Sequence, residues 1–358
     1  MIREHVPGIA PGGSTAGAAY SPGMRYVLII TDGGTIADAG PSGPSDLFDV
    51  LGRVHTPALD AMGRLGRVGL AETRAAGTGS FGRGALALLG APAHDVAGIS
   101  DSLLHAAALG ASDSGIGLHP GDAVLRVGLV RVSADDADGL MIGGAEPGVI
   151  APAEHAALFD DLADHWRDEG LLAGGIRIVR TPAGERLLIV PSEAGPETGS
   201  DSGSALGSGF LGIEMVAPGS IVGEPWIEHL PEGGHAYDAE RLCVLITESR
   251  RFLAGHTINT ARTEQGLDAV NLAWFDDAGY MPDGVVSGLL GDRPAVFIDG
   301  PGATGPVSLG SGLCALLGVI PLSTSGADLV EKLGSTDRPL AIVLTTKSVE
   351  TIDDDLIA

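Results

Sequence analysis

Cysteine is nearly missing from this 358-residue chain: Cys243 and Cys314 stand without a neighbouring cysteine, which excludes a metal ribbon and reads as core-filling thiols in a reducing compartment. A cytoplasmic protein is expected. Positive charge is scarce as well. Lys and Arg together number 21 against 46 Asp and Glu, a formal net charge of -25, so nucleic acid and anionic membrane surfaces, which need a basic footprint, are excluded as main partners. Any anionic ligand must be held by a local cluster. Lysine occurs only at Lys332 and Lys347, so a phosphate-binding Walker A lysine is unavailable over most of the chain. No run of eighteen apolar residues exists to span a membrane. The first 23 residues lack the apolar core of a signal peptide and read as a flexible tail rich in Gly, Ala, Pro and Ser.

What is present is enough for a sizeable core: 44% of the residues are hydrophobic and 19% charged, the balance of a globular chain of one large or two ordinary domains. Tyr26–Ile30 is an apolar, β-branched run that ends at Thr31-Asp32-Gly33-Gly34, the pattern of a buried parallel strand with a loop at its carboxyl end. Thr56-Pro57 opens a predicted helix over Ala58–Leu65 with Leu59, Met62 and Leu65 facing inward. A strand near Val68–Ala71 and a helix near Ala85–Leu89 continue the alternation. From Pro120 the texture changes to a strand at Val124–Val132, a helix at Ala153–Trp166 striped by Leu158, Leu162 and Trp166, and a hairpin of Arg177–Val179 with Arg186–Val190. This reads as an inserted α+β unit. A Ser/Gly-rich loop over 191–209, a long helix over Asp238–Leu253, and short apolar strands at Asn271–Phe275, Ala295–Ile298 and Ala341–Leu344 complete the chain.

Several motifs carry chemistry. Asp32, at the carboxyl end of the opening strand and followed by Gly33, is placed to hold a divalent cation or accept a proton, although Asp-Gly is also an ordinary turn. Ser80 ends a glycine-rich turn ahead of a helix, the setting of a nucleophile supported by helix-terminal amides and equally of a simple cap. Two stretches, Gly77–Gly82 and Gly300–Gly305, fit G-x-G-x-x-G, and the second follows a strand with Asp328 at the distance of a ribose contact, so dinucleotide binding is an alternative function. The acidic run Glu350–Asp355 reads as a solvated tail or a weak cation site.

The order of these pieces resembles the archaeal-type cofactor-independent phosphoglycerate mutases of the alkaline phosphatase superfamily. Tyr26–Gly33 (YVLIITDG) is similar to that family's first strand and metal-binding Asp-Gly, and Thr56–Gly66 (TPALDAMGRLG) to its Thr-Pro-Asn-Leu-Asp helix. Gly82–Gly90 falls where the family has the helix after its nucleophile, Gly115–Arg126 (GIGLHPGDAVLR) resembles the entry to its lid domain, Gly255–Asn259 (GHTIN) its His-Pro-x-Asn, and Asn271–Gly279 (NLAWFDDAG) its Asn-rich strand. The resemblance implies an alkaline-phosphatase-like α/β core, mainly parallel, made from residues 24–119 and 238–358 and interrupted by an α+β lid at 120–237. Carried onto this sequence, it assigns Ser80, Asp32 and His256 to catalysis and Arg83, Arg126 and Asn259 to holding a small anion, with Asp32 as the one metal candidate.

The sequence also departs from the family. An ungapped match from Gly90 puts Phe81 at the nucleophile, and Ser80 fits only by a one-residue slip. The arginine-rich lid motif is replaced by Met141–Glu146, and the arginine expected in the Asn-rich strand becomes Asp276 or Asp277. The later metal segments have no counterpart beyond Ala341–Leu344 except Glu350–Asp355, as in a member truncated at its C-terminus. The expected protein is therefore a divergent mutase-like enzyme acting on a small phosphorylated or phosphonate metabolite in specialised metabolism, without authentic glycolytic mutase activity. The alternative is a pseudoenzyme serving as a binding or partner subunit, as a homo-oligomer or beside another protein. No cofactor is expected beyond a weakly bound divalent cation.

Overall fold

The structure is a computed structural model. It describes residues 26–31, 57–66, 81–89, 91, 98–111, 116–133, 139–144, 149–182, 184–192, 213–234, 236–282, 295–299, 309–317, 321–323 and 340–345. The predicted strand at 68–71, the loop over 193–209, Asp32, Ser80, Asp328, Gly300–Gly305 and Glu350–Asp355 lie outside them.

Short apolar runs form a four-stranded parallel sheet. Its strands are β1 (Tyr26–Thr31), β9 (Ala295–Asp299), β10 (Pro321–Ser323) and β11 (Leu340–Thr345), in the order β1-β11-β9-β10. Tyr26 to Thr31 run in parallel register with Leu340 to Thr345, which brings the first and last described strands side by side. Continuous apolar sequence suits strands of this kind.

A second sheet is antiparallel and centres on β2 (Ala123–Val132). β8 (Val270–Tyr280) runs along one side of β2. The other side is shared by β5 (Arg186–Val190), paired with Ala123 to Val127, and β3 (Met141–Gly144), paired with Val130 to Val132. β4 (Arg177–Arg180) closes the edge beyond β5. Two short strands, β6 (Ile213–Glu214) and β7 (Glu232–Gly233), pair separately.

Each face of the antiparallel sheet is covered by helices. On one face lie α4 (Pro152–Asp168) and α5 (Ala236–Ala254), whose Leu158, Phe159, Leu162, Trp166, Leu242, Leu245 and Ile246 join Leu125, Leu188 and Phe275 in the larger core. The predicted stripe of α4 is thus its buried face. On the other lie α2 (Phe81–Leu88), α3 (Asp101–Ala111) and α7 (Leu309–Leu317), packed over Val124, Leu187 and Ile189. α7 packs on α3 and also touches β9 and β10, so it joins the two sheets. At Gly312 the two helices come so close that a Cβ would stand 1.9 Å from the Leu104 carbonyl oxygen.

Two sequence expectations need correction. The α/β reading holds, but the largest sheet among the described residues is antiparallel, because β2 is paired on both sides by strands that return through hairpins or helices. The stretch beginning at Asp238 contributes α5 and β8 to this same antiparallel layer, where β8 forms the longest pairing of β2. In α1 (Pro57–Leu65), Leu65 is 90% exposed where an inward position was expected. Six residues after Leu59, it stands about 120° around the helix from that position. Among the described residues no helix is long and apolar enough to cross a membrane.

Candidate functional site

The candidate site is built where β2, β8, α3 and the amino end of α2 meet. The α2 amide of Gly82 donates to Asp101 Oδ1 at 3.0 Å, so a carboxylate in the first turn of α3 caps α2. Arg83 reaches back from α2 and donates through Nε to the Ile99 carbonyl at 2.5 Å. One step further along, both the amide and the hydroxyl of Ser102 donate to Asp277 Oδ2, each at 2.7 Å. Asp277 thereby caps α3 from the far end of β8. A relay of carboxylate caps runs from β8 through α3 to α2.

Asp277 has φ 49°, the left-handed region, and is the single non-glycine residue there among those described. Asp and Asn tolerate this region better than other side chains, yet the conformation is still strained relative to a strand. Burial pushes its carboxyl above the ordinary range, against the opposing pull of the Ser102 bonds and of Arg126. Close backbone approach fixes this end of β8. A Cβ at Gly279 would stand 2.4 Å from Ser100 Oγ, and the Tyr280 amide donates to the Gly98 carbonyl at 2.9 Å.

Arg126 lies on β2 opposite Asp276. Its Nε and Nη2 donate to the two Asp276 oxygens at 2.7 and 2.8 Å, a bidentate pair. The arginine side chain is 44% exposed and the aspartate 12%, so the guanidinium keeps one face to solvent. Its pKa is raised, first by the hydrogen bond to Asp276, which holds it charged. Nearby, His105 Nδ1 of α3 lies 2.7 Å from Glu185 Oε2. That contact holds the Glu185 carboxyl below its ordinary range despite burial. The arrangement can attract an anion to the open face of Arg126, and it can hold a proton on Asp277. Asp276 competes for the same guanidinium.

The sequence-assigned residues separate into two places. Arg83 and Arg126 belong to this neighbourhood, linked through Ile99, Ser102 and Asp277. His256 and Asn259 sit at the opposite end of β8. Asn259 is buried, donates through Nδ2 to the Leu253 and Val270 carbonyls at 2.8 Å each, and accepts from the Val270 amide at 2.9 Å. This clamps α5, α6 (Thr257–Glu264) and β8 together. Val270 and Asp276 are six residues apart, so Asn259 stands about 20 Å along the strand from Arg126. His256 is the N-cap of α6: its Nδ1 accepts from the Ile258 amide at 3.2 Å, which leaves Nε2 to donate to Asp161 at 2.9 Å. Both are fully used in local structure. Asp32 and Ser80 lie outside the described residues. Sequence reasoning missed Ser102, His105, Glu185 and the pairing role of Asp276. The available signal was two adjacent carboxylates, Asp276 and Asp277, inside an otherwise apolar strand.

The two-metal centre that the resemblance implies has no donor set here: among the described residues no three His, Cys, Asp or Glu side chains converge as a cation site.

No family model matches the chain. Over 323 residues it is 27% identical to a probable 2,3-bisphosphoglycerate-independent phosphoglycerate mutase of Geobacter sulfurreducens, covering 87% of this chain and 67% of that protein. Over 266 residues it is 28% identical to the 2,3-bisphosphoglycerate-independent phosphoglycerate mutase of Methanosarcina mazei, covering 72% of this chain and 56% of that one. Against the Methanosarcina relative, the match therefore spans little more than half the length. A solved structure from Pyrococcus horikoshii superposes with a TM-score of 0.52 at 15% identity over 90% of this chain and 70% of that one, a likeness of fold. With the motif order from Tyr26 to Lys347, these matches make the chain a divergent homologue of the archaeal-type 2,3-bisphosphoglycerate-independent phosphoglycerate mutases.

Proposed function

We propose that this protein binds a small phosphorylated or phosphonate metabolite at the open face of Arg126 and acts on it in the manner of a phosphotransfer enzyme, without glycolytic mutase activity. The observation that carries the reading is the charge state of the site. In place of a cluster of arginines, the described residues offer the guanidinium of Arg126, 44% exposed and already paired with Asp276. Such a site favours a ligand with one phosphoryl or phosphonyl group and a modest charge over a more highly charged phosphoglycerate. Arg83 and the glycine-rich turn before α2 are the neighbouring elements that complete the site in this reading, with Ser80 as nucleophile or hydrogen-bond donor and Asp32 holding a cation or a proton. The lid assignment of residues 120–237 belongs to the same proposal.

Hydrolysis of a generic aryl phosphate by the full chain, with Mg²⁺ or Mn²⁺ supplied, tests this. Slow turnover that falls about tenfold or more in Arg126→Ala is expected, the loss of roughly one charge-assisted contact in the transition state. Interconversion of 2- and 3-phosphoglycerate is expected to be absent. A second reading, a pseudoenzyme acting as a binding or partner subunit, draws on the same Arg126–Asp276 pair, which satisfies the guanidinium internally. No turnover with any phosphomonoester or added metal, together with a stable dimer or complex in solution, favours that reading.

A further inference from the structure

The β4–β5 hairpin places Arg180 directly opposite Arg186 in antiparallel register. Like charges in that position repel and cost stability. The same strand face carries Ile178, Leu188 and Val190 into the core beneath α4, so both arginines stand where that core ends, under the first turns of α4. Arg186 is 5% exposed, lies over the Phe159 ring at 5.2 Å, and donates through Nη2 to Asp160 Oδ1 at 2.7 Å. Arg180 is exposed, and among the described residues no carboxylate lies within ion-pair distance of it.

His155, on the first turn of α4, completes the group. It is half-buried, and its ring is tilted on Phe159 with centroids 6.3 Å apart. The same Phe159 ring carries the Arg186 guanidinium, so imidazole and guanidinium meet on one aromatic side chain. Burial lowers the His155 pKa, and the fields of Arg186 and Arg180 lower it further. Among the described residues, the neighbouring carboxylates have other partners. Glu154 on the same turn is engaged by Arg262 at 3.4 Å, and Glu185 pairs with His105 on the other face of the sheet. α4 also begins at Ala151 without a side-chain cap. In a chain of net charge -25, three basic groups therefore face one carboxylate, Asp160, among the described residues.

We propose that Arg180, Arg186 and His155 form a binding site for a phosphate-type oxyanion, on the face of the antiparallel sheet opposite Arg126. Arg180 and Arg186 against Asp160 leave one positive charge, and the proton that His155 takes up along with a bound anion makes two, the complement of a phosphate or phosphomonoester dianion. Arg180 supplies a forked donor from solvent, His155 a second donor from the helix, and Arg186, fixed by Phe159 and Asp160, the field between them. An oxyanion there turns the Arg180–Arg186 repulsion into shared attraction. This site is independent of the reading at Arg126.

The test is the titration of the His155 ring by proton NMR in the full chain, assigned by the resonance lost in His155→Gln. It is run with inorganic phosphate, with glycerol phosphate, and with sodium chloride at matched ionic strength. Phosphate or its ester is expected to raise the His155 midpoint by about half a unit or more over chloride. Whichever acts at the lower concentration identifies the natural source as free anion or ester. In Arg180→Gln, a surface change that leaves the circular dichroism of the parent, the phosphate-dependent shift is expected to vanish. A midpoint that phosphate moves no more than chloride does, or an Arg180→Gln protein that responds as its parent does, overturns the proposal.

Discussion

Asp277 concentrates several costs in one residue: a left-handed backbone, a buried carboxyl and a cap donated across the fold. Because burial raises its pKa above the ordinary 3.8, the folded chain holds this proton more tightly than the unfolded chain. Between that value and the higher folded one the native state binds more protons, so this group's contribution to stability is present in acid and is lost as pH rises. Asp277→Asn keeps an acceptor for Ser102, tolerates the same backbone and removes the charge. Its melting temperature relative to the parent is therefore expected to climb as pH rises above about 4. Asp277→Ala loses both Ser102 bonds and still has to hold the left-handed backbone. It is expected to lose about 1–3 kcal/mol at every pH in urea titrations. An Asn variant whose offset does not change with pH would show that the carboxyl is not strained by burial.

At the scale of elements, the contact between α3 and α7 decides how the two sheets are joined. Gly312→Ala puts a methyl group into the Leu104 carbonyl, backbone against helix backbone, where no side chain can swing away. A loss of about 1–3 kcal/mol in urea unfolding is expected, the range of overpacked cores. These same two helices were not legible in the sequence. Asp101–Ala111 (DSLLHAAALGA) is buried on nearly all sides and Leu309–Leu317 (LGSGLCALL) likewise, so neither shows the polar stripe by which an amphipathic helix is recognised. Elements with one wet face, such as α4 and α5, were legible to within a few residues, as were β1, β2, β4, β5, β9 and β11, whereas β8 runs five residues beyond its expected end and β3 and β10 had no signal. The site was legible only in part. Arg126 stands out because it follows the apolar run Ala123–Val124–Leu125. Its partner Asp276 is 150 residues away, and no local pattern pairs them. The positive backbone angle of Asp277 has no sequence signal either, since it follows from β8 having to meet both β2 and α3.

For the whole molecule, the chain carries a net charge of -25, and the proposed function asks it to gather an anion. Electrostatics of the whole surface oppose such binding, so affinity has to come from a few guanidiniums at short range. The account places one of them at Arg126 and sets its strength by Asp276. Isothermal titration with phenylphosphonate, a ligand that cannot be hydrolysed, tests this most directly. It is best done in the Arg180→Gln background so that binding on the other face of the sheet does not contribute. The account predicts that Asp276→Asn binds about tenfold more tightly than this background, the release of one competing charge, and that Arg126→Ala binds at least tenfold more weakly. Equal affinities in all three proteins would contradict it.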